Sequence, residues 1–199
     1  MARYTGPTDR ISRRAGVNLF LKGERSAGPK NPMTRRAYAP GQHGPRRRRG
    51  KVSEYGRQLR EKQKMKAIYG ILERQFRRYF QTASRATTDT STTLLQLLER
   101  RLDNIVFRLG FADSRPQARQ FVTHGHVRVN GKKVNIPSYQ VNAGDTVELV
   151  KLERKPSAAE LPVWLKRGTG LTGTLLEIPS REQIPTEIEE QLIVEFYSR

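Results

Sequence analysis

The stretch from Leu97 to Val141 constrains the fold of this chain most, because three local folding signals follow one another closely within it. Ser114 and Gln117 form a capping-box pattern, with proline in the first turn, which predicts the start of a short helix. Asn130-Gly131 is a strong signal for a tight β-hairpin. Ahead of both, apolar residues at helical spacing predict one amphipathic helix that Gly110 ends: Leu95, Leu98, Leu102, Ile105, Val106 and Leu109. The pattern therefore predicts two helices packed on a small antiparallel sheet, with Thr146–Val150 as a third strand.

Cationic residues surround both the short helix and the hairpin. Arg115 and Arg119 are four residues apart, so we expect them to share one outward face of the helix. A single surface is therefore predicted to carry Arg115, Arg119, His124, Arg128, Lys132 and Lys133. A rigid basic surface suits structured RNA, which is recognised largely through its shape, phosphates and 2′-hydroxyls. The alternative is an ordinary solvated face.

Most of the positive charge lies in the first part of the chain. The sequence has 38 Lys and Arg against 19 Asp and Glu, a net charge of +19. Residues 1–88 hold 23 basic and 5 acidic residues, residues 89–152 hold 9 and 6, and residues 153–199 hold 6 and 8. Such a chain is expected to bind a polyanion, mainly through residues 1–88, although charge alone leaves RNA, DNA, membranes and polysaccharides open.

Composition excludes several classes of protein. The hydrophobic content of 35% predicts one or two small domains rather than one large core. No apolar run approaches the roughly 20 residues that span a bilayer, and the start lacks the apolar stretch of a secretory signal. The sequence has no cysteine, which excludes disulfides and thiolate metal sites. We therefore expect a soluble intracellular protein that binds a polyanion and has no membrane-spanning segment.

The first half of the chain divides into an arm and a helical region. Residues 1–50 alternate Arg and Lys with Gly, Pro and Ser, so we expect an arm that orders mainly on its partner; a permanently solvated tail is the alternative. From Glu54 to about Ala83 the pattern is helical, and Gly70 either interrupts the helix or separates two. The apolar face consists of Met65, Ile68, Tyr69, Leu72, Phe76, Tyr79 and Phe80.

Residues 153–199 predict an irregular return segment closed by a helix. Thr186 and Glu189 form a capping-box pattern before an apolar face, so we expect this helix to dock back on another domain.

No pattern in the chain indicates catalysis. Gly168, Gly170 and Gly173 match G-x-G-x-x-G, but no strand–turn–helix pattern surrounds them, so we interpret the match as chance in a flexible loop. His124 and His126 have no third ligand nearby in sequence, which argues against a metal site. The sequence therefore favours a binding protein over an enzyme.

Several segments together resemble a known family. Residues 99–141 resemble the S-four RNA-binding domain, which also occurs in RNA-modifying enzymes and tRNA synthetases. The rest of the chain is similar to bacterial small-subunit ribosomal protein four over essentially its whole length. The matching segments are RYTGP at 3–7, APGQHG at 39–44, YGRQLREKQK at 55–64, IYGILERQFRRYF at 68–80 and the ending EQLIVEFYSR.

The resemblance implies an α+β fold in four parts. These are a basic arm (1–50), a helical domain (51–90), an S-four domain (91–152) and a return segment whose helix packs on the helical domain (153–199). It also implies a cytoplasmic, ribosome-bound, non-enzymatic protein that binds 16S rRNA at a multi-helix junction in the 5′ domain and helps start assembly of the subunit body. Contact with small-subunit ribosomal protein five, a place near the mRNA entry channel and a part in decoding accuracy are implied as well.

The predicted RNA-binding residues are cations and histidines of the arm, the first helices and the S-four domain. They are Arg3, Arg10, Arg13, Arg14, Arg35, Arg36, His43, Arg46, Arg47, Arg48, Arg49, Lys51, Arg57, Lys62, Arg74, Arg77, Arg115, Arg119, His124, Arg128, Lys132 and Lys133.

The arm departs from the pattern of many relatives. They carry four zinc-binding cysteines there, and the matching positions in this chain are Asp9, Ser12, Ser26 and Asn31. We therefore predict no zinc and no other cofactor, with the arm ordered by RNA and local packing. The segment after Lys151 is also shorter than in relatives.

Two other functions remain as rivals. An enzyme with an S-four module would need a separate catalytic domain, for which too little chain remains. A nonspecific basic protein for DNA or membrane surfaces would bind duplex DNA as well as a folded RNA junction of equal charge.

Overall fold

The computed structural model describes residues 3–45, 52–150 and 161–198, which form two compact units. We call Met1–Arg78 with Glu187–Arg199 the helical unit and Tyr79–Thr186 the sheet unit. The elements in chain order are α1 (Thr8–Ala15), α2 (Glu24–Ala27), α3 (Pro32–Arg35), α4 (Glu54–Ile68), α5 (Glu73–Ala83), α6 (Thr90–Glu99), α7 (Leu102–Arg108), α8 (Arg115–Thr123), β1 (Val127–Val129), β2 (Lys132–Lys133), β3 (Thr146–Leu149), β4 (Leu165–Arg167), β5 (Thr172–Leu175) and α9 (Glu190–Tyr197). The predicted α+β class is confirmed.

The sheet unit packs helices against one face of an antiparallel sheet. Its five strands have the order β2-β1-β3-β5-β4. Alternate residues of β1 and β3 point inward, where Val127, Val129, Val147 and Leu149 join the apolar residues of α7 and α8 in one buried core. The side chains between them, among them Arg128, therefore lie on the outer face of the sheet.

Local signals placed α8 and the β1–β2 hairpin correctly. The Ser114 hydroxyl accepts a hydrogen bond from the backbone N–H of Gln117, as the capping box predicts. The Gln117 side chain, however, accepts from the N–H of Asp113. Asn130 and Gly131 both have positive φ, 49° and 78°, as a tight two-residue hairpin turn requires.

The single helix predicted from Leu95 to Leu109 is wrong. The chain ends α6 at Glu99 and starts α7 at Leu102, with Arg101 in an extended conformation between them. The reason is nonlocal: Leu102 N–H donates to the Tyr139 carbonyl, and Val141 N–H donates to that of Arg100. With the bond from Asp103 N–H to the Pro137 carbonyl, three backbone hydrogen bonds to residues 137–141 take the place of helical ones at this point.

The irregular return segment predicted after residue 152 is also wrong in part. Strands β4 and β5 form a hairpin that pairs with β3, so the sheet unit extends past the predicted boundary to Thr186. The glycine-rich match lies in and beside this hairpin rather than in a flexible loop, and no helix follows it. Gly173 is on β5, where any Cβ would clash with the Leu109 side chain.

The helical unit is completed by the last helix of the chain. Gly70, with φ of 62°, separates α4 from α5, which resolves the alternative left by the sequence. α9 packs along α4: Gln58 Nε2 donates to Glu195 Oε2 at 3.0 Å, and the Tyr55 and Phe196 ring centroids are 5.6 Å apart. α9 therefore docks on α4 within the helical unit.

The predicted start of that last helix is wrong. α9 begins at Glu190, its N-cap residue Glu189 makes no side-chain capping bond, and the buried Thr186 hydroxyl has no partner among the described residues. The N–H of Glu189 donates instead to Glu61 on α4 at 3.3 Å, so docking rather than a capping box fixes the helix entry.

The arm has more regular structure than its composition predicts. Residues 3–45 contain three short helices, and Leu19 and Leu21 are buried. The four positions that match zinc-binding cysteines in relatives make polar contacts within the arm or are buried. Ser26 accepts a bond from Lys22 N–H at 3.0 Å, Asn31 caps α3, Asp9 lies 3.5 Å from Arg25, and Ser12 is buried.

Candidate RNA-binding surface

The helical unit exposes rows of arginines on regular helices. Arg10 and Arg14, four residues apart on α1, are both exposed, as are Arg74 and Arg77 on α5. Residues three or four apart lie on one helix face, so each pair presents two guanidinium groups in the same direction. The predicted residues Arg3, Arg35, Arg36 and His43 are exposed as well. The predicted residues Arg46, Arg47, Arg48, Arg49 and Lys51 lie outside the described residues.

Two predicted residues of this unit have partners within the protein. Arg13 donates from Nε to the carbonyl oxygens of Arg36 and Tyr38, at 3.2 and 3.0 Å, and stacks on the Tyr38 ring. It therefore ties α1 to the chain after α3. Arg57 is exposed, but its guanidinium lies 3.5 Å from Glu54 and 4.0 Å from Glu189.

The prediction that Lys62 faces RNA does not fit its position. Lys62 is only 6% exposed, and its ammonium donates to Glu73 at 3.0 Å and lies 4.2 Å from the Phe196 ring centroid. Burial alone would raise the pKa of Glu73, but hydrogen bonds from Lys66, Tyr197 and Lys62 lower it to about 2. This polar cluster holds α4, α5 and α9 together, because its members come from all three helices.

In the sheet unit, four predicted residues lie exposed at the hairpin end of α8. We call His124, Arg128, Lys132 and Lys133 the hairpin patch. Arg128 and Lys133 are register partners on neighbouring strands. The Lys133 side chain lies over Gly125, where a Cβ would clash with it, so its stem packs against the turn between α8 and β1. The patch is thus built on backbone that the turn and strand pairing hold fixed.

The prediction that Arg119 shares an outward face with Arg115 is wrong. Arg119 is only 7% exposed, and its Nη1 lies 3.9 Å from the Asp103 carboxylate. The same carboxylate accepts two hydrogen bonds from Arg101, at 3.0 and 2.6 Å, and Arg101 also donates to the Tyr79 hydroxyl. Burial alone would lower the pKa of Arg101, but Asp103 and Tyr79 raise it above its ordinary value. These groups form a buried polar layer, because a buried charge requires a partner.

Arg115 belongs to a second polar layer at the other end of α8 from the hairpin patch. It is half-buried, its Nε donates to Asn104 Oδ1 at 2.8 Å, and its guanidinium carbon lies 4.5 Å from the Phe107 ring centroid. Asn104 in turn donates to the buried Glu99, which pairs with Arg108 at 2.7 Å. The predicted six-residue surface is therefore divided, and its α8 arginines serve packing as well.

Some exposed cations were missed by the sequence analysis. Arg60 on α4, Arg85 after α5 and Lys166 on β4 are all exposed. Lys166 pairs in register with Thr174 on the outer face of the sheet. The alternation in WLKR and the glycine-containing turn after it are hairpin signals that could have found it.

Neither a metal-binding cluster nor a membrane helix was found in the ranges that the structure describes. No group of three or more His, Asp or Glu side chains there is placed to hold a metal ion. None of the described helices combines the length and apolar character needed to cross a bilayer.

Comparison with known proteins covers the whole chain. A model of the ribosomal protein S4/S9 N-terminal domain matches residues 3–99, and a model of the S4 (S-four) domain matches residues 100–147. Small ribosomal subunit protein uS4 of Dictyoglomus thermophilum is 54% identical over 208 residues, covering 100% of both chains. The proteins of the same name from Natranaerobius thermophilus and Acidithiobacillus ferrooxidans are 54% and 51% identical over 210 residues, again with full coverage. An α+β fold with an S4 domain, and identity above half along the whole sequence, show that this chain belongs to the uS4 family of small ribosomal subunit proteins.

Proposed function

We propose that this chain is a structural constituent of the small ribosomal subunit that binds 16S rRNA directly. It joins the RNA early, at a multi-helix junction of the 5′ domain, and helps nucleate assembly of the subunit body. Its role is structural rather than catalytic, and it acts in the cytoplasm as part of the ribosome. The support is the exposure of cations on rigid elements in both units, together with the names of its full-length relatives.

The helical unit supplies most of the electrostatic affinity in this proposal. Its exposed arginines on α1 and α5 are spaced along helix faces, so they can contact several RNA phosphates at once. Each contact with a phosphate releases condensed counterions, which makes binding strongly dependent on salt.

The sheet unit supplies orientation. The hairpin patch has fewer cations, but the turn at Asn130-Gly131 and the β1–β2 pairing fix their positions. Fixed cations accept only some arrangements of phosphates, so this unit selects a folded RNA shape over other polyanions.

Protein neighbours are proposed for the end of the chain. Residues 161–198 contain three basic and six acidic residues, which suits a basic protein better than RNA. We propose small-subunit ribosomal protein five as a neighbour, with other proteins near the mRNA entry channel, and through them a contribution to decoding accuracy.

Competition binding tests the proposed function. The full chain is titrated with the 16S 5′-domain junction and with duplex DNA of equal charge, across a salt series from about 0.05 to 0.3 M. We expect the chain to bind the junction more tightly than the DNA at every salt concentration. The ratio of the two affinities should grow as salt weakens the nonspecific contacts. Equal affinity for both throughout would refute specific rRNA binding and favour a nonspecific basic protein.

A further inference from the structure

Arg115 is held by a chain of buried polar groups that the proposed function does not yet use. Its Nε donates to Asn104 Oδ1 at 2.8 Å, and its guanidinium lies over the Phe107 ring at 4.5 Å. Asn104 is 1% exposed, and its Nδ2 donates to Glu99 Oε2 at 2.6 Å and to the Glu99 carbonyl at 3.0 Å. The chain therefore runs from a fully buried carboxylate to an arginine at the start of α8.

The carboxamide of Asn104 fits this position because its two ends have opposite character. Its oxygen can only accept, so it faces the Arg115 N–H, and its NH₂ can only donate, so it faces the Glu99 carboxylate. Glu99 is held in turn by two hydrogen bonds from Arg108, at 3.0 and 2.7 Å. The Glu99–Arg108 ion pair thus fixes the Asn104 amide, and the Asn104 amide can in turn fix the Arg115 guanidinium.

We propose that Asn104 is a positioning residue for RNA binding, which sets the plane of the Arg115 guanidinium on Phe107 before RNA arrives. The proposal rests on the proposed function and extends it to Arg115, the predicted RNA-binding residue of α8, as a further contact to an RNA phosphate. The bond to Asn104 holds the Nε–H of the guanidinium, which with the Phe107 ring fixes the plane of the group. An arginine ordered in the free protein loses less side-chain freedom on binding, so the ordering adds to affinity without adding charge.

The test uses Asn104→Ala in the full chain, with binding to the 16S 5′-domain junction measured across a salt series. We expect affinity to fall about tenfold because Arg115, no longer held in place, loses its phosphate contact, so the salt slope should fall by about one ion although no charge has been removed. In an Arg115→Ala background the same change should have little further effect. Asn135→Ala, at an exposed asparagine of the same unit, is the matched control and should bind as the parent does.

A second variant keeps the test decisive where Asn104→Ala is destabilised. Phe107→Leu removes the ring under the guanidinium and leaves the Asn104 hydrogen bonds intact, and should also reduce the salt slope in a protein that urea unfolding shows to be folded. Unchanged affinity and slope in both variants, with a loss in Arg115→Ala, would overturn the positioning role alone. Additive losses in the double variant would also overturn it. No loss in Arg115→Ala would instead overturn the proposed RNA contact on which it rests.

Discussion

The two units use their arginines in different ways. In the helical unit most described arginines are exposed, including Arg10 and Arg14 on α1 and Arg74 and Arg77 on α5, whereas Arg13 on α1 is tied to backbone carbonyls. In the sheet unit, Arg101 and Arg119 are buried against Asp103, and Arg108 is paired with the buried Glu99. Positive charge in the sequence therefore overstates the binding surface of the sheet unit, where much of it stabilises the fold.

A domain with little net charge can still present cations to RNA, because some of its charges pair within the fold while others stay exposed. Residues 89–152 hold 9 basic and 6 acidic residues, and two of the acidic ones, Glu99 and Asp103, are buried partners of arginines. What remains outside is mainly the small hairpin patch, with the half-buried Arg115 at the other end of α8. The sheet unit is thus suited to orienting the protein on RNA, and the helical unit to providing most of the binding affinity.

The largest expected effect comes from Asp103→Ala, which leaves Arg101 and Arg119 without their shared carboxylate. Removing one partner of a buried ion pair costs about 3–5 kcal/mol, a large part of the stability of a typical domain. Urea unfolding of the full chain measures the loss. Glu182→Ala, at an exposed position of the same unit, should change stability by less than about 0.5 kcal/mol. Equal stability of the two variants would mean that the buried arginines do not hold the sheet unit.

A smaller effect, on binding alone, is expected in the helical unit. Arg74→Ala combined with Arg77→Ala should weaken binding to the rRNA junction and lower the salt slope by about 0.7–0.9 for each lost phosphate contact. Stability should stay within about 0.5 kcal/mol, since both side chains are exposed. Arg57→Ala is the control, because its guanidinium already faces two carboxylates, and it should reduce the slope less. An unchanged salt slope in the double variant would mean that α5 is not part of the RNA-binding surface.

The smallest expected effect is the pH dependence of the helical unit. The pKa of Glu73 is about 2 in the folded protein against 4.5 ordinarily, so its stabilisation is complete above about pH 5 and is lost as pH falls toward 2. The side chain is 46% exposed, so solvent screens the effect and keeps it modest. Urea unfolding between pH 6 and pH 3 should show a shallower pH dependence in Glu73→Gln than in the parent. Glu54→Gln controls for the lost charge, and identical slopes for all three proteins would contradict the assignment.

Local signals in the sequence predicted the elements whose cause is local. Gly70 between α4 and α5, the Ser114 cap and the Asn130-Gly131 turn each depend on backbone conformation or on a neighbour within three residues. The hairpin patch was predicted for the same reason, because strand alternation places Arg128 outward.

Features set by distant partners were not predictable in this way. The break between α6 and α7 requires the carbonyl of Tyr139, and the burial of Arg119 requires Asp103 from another helix. Lys62 is likewise buried by Glu73 and by Phe196 from the end of the chain. Helical spacing assigns a residue to a face, but it does not say which face another element covers.

Chemical modification distinguishes the buried arginines from those proposed to bind RNA. The full chain is treated with an arginine-selective dicarbonyl reagent, alone and in complex with the 16S 5′-domain junction, and modification at each site is measured by mass spectrometry. We expect Arg74, Arg77 and Arg128 to react in the free protein and to be protected by RNA. Arg101 and Arg119 should resist in both states. Ready modification of these two in the free protein, or undiminished reactivity of the exposed three in the complex, would contradict the division between structural and RNA-binding arginines.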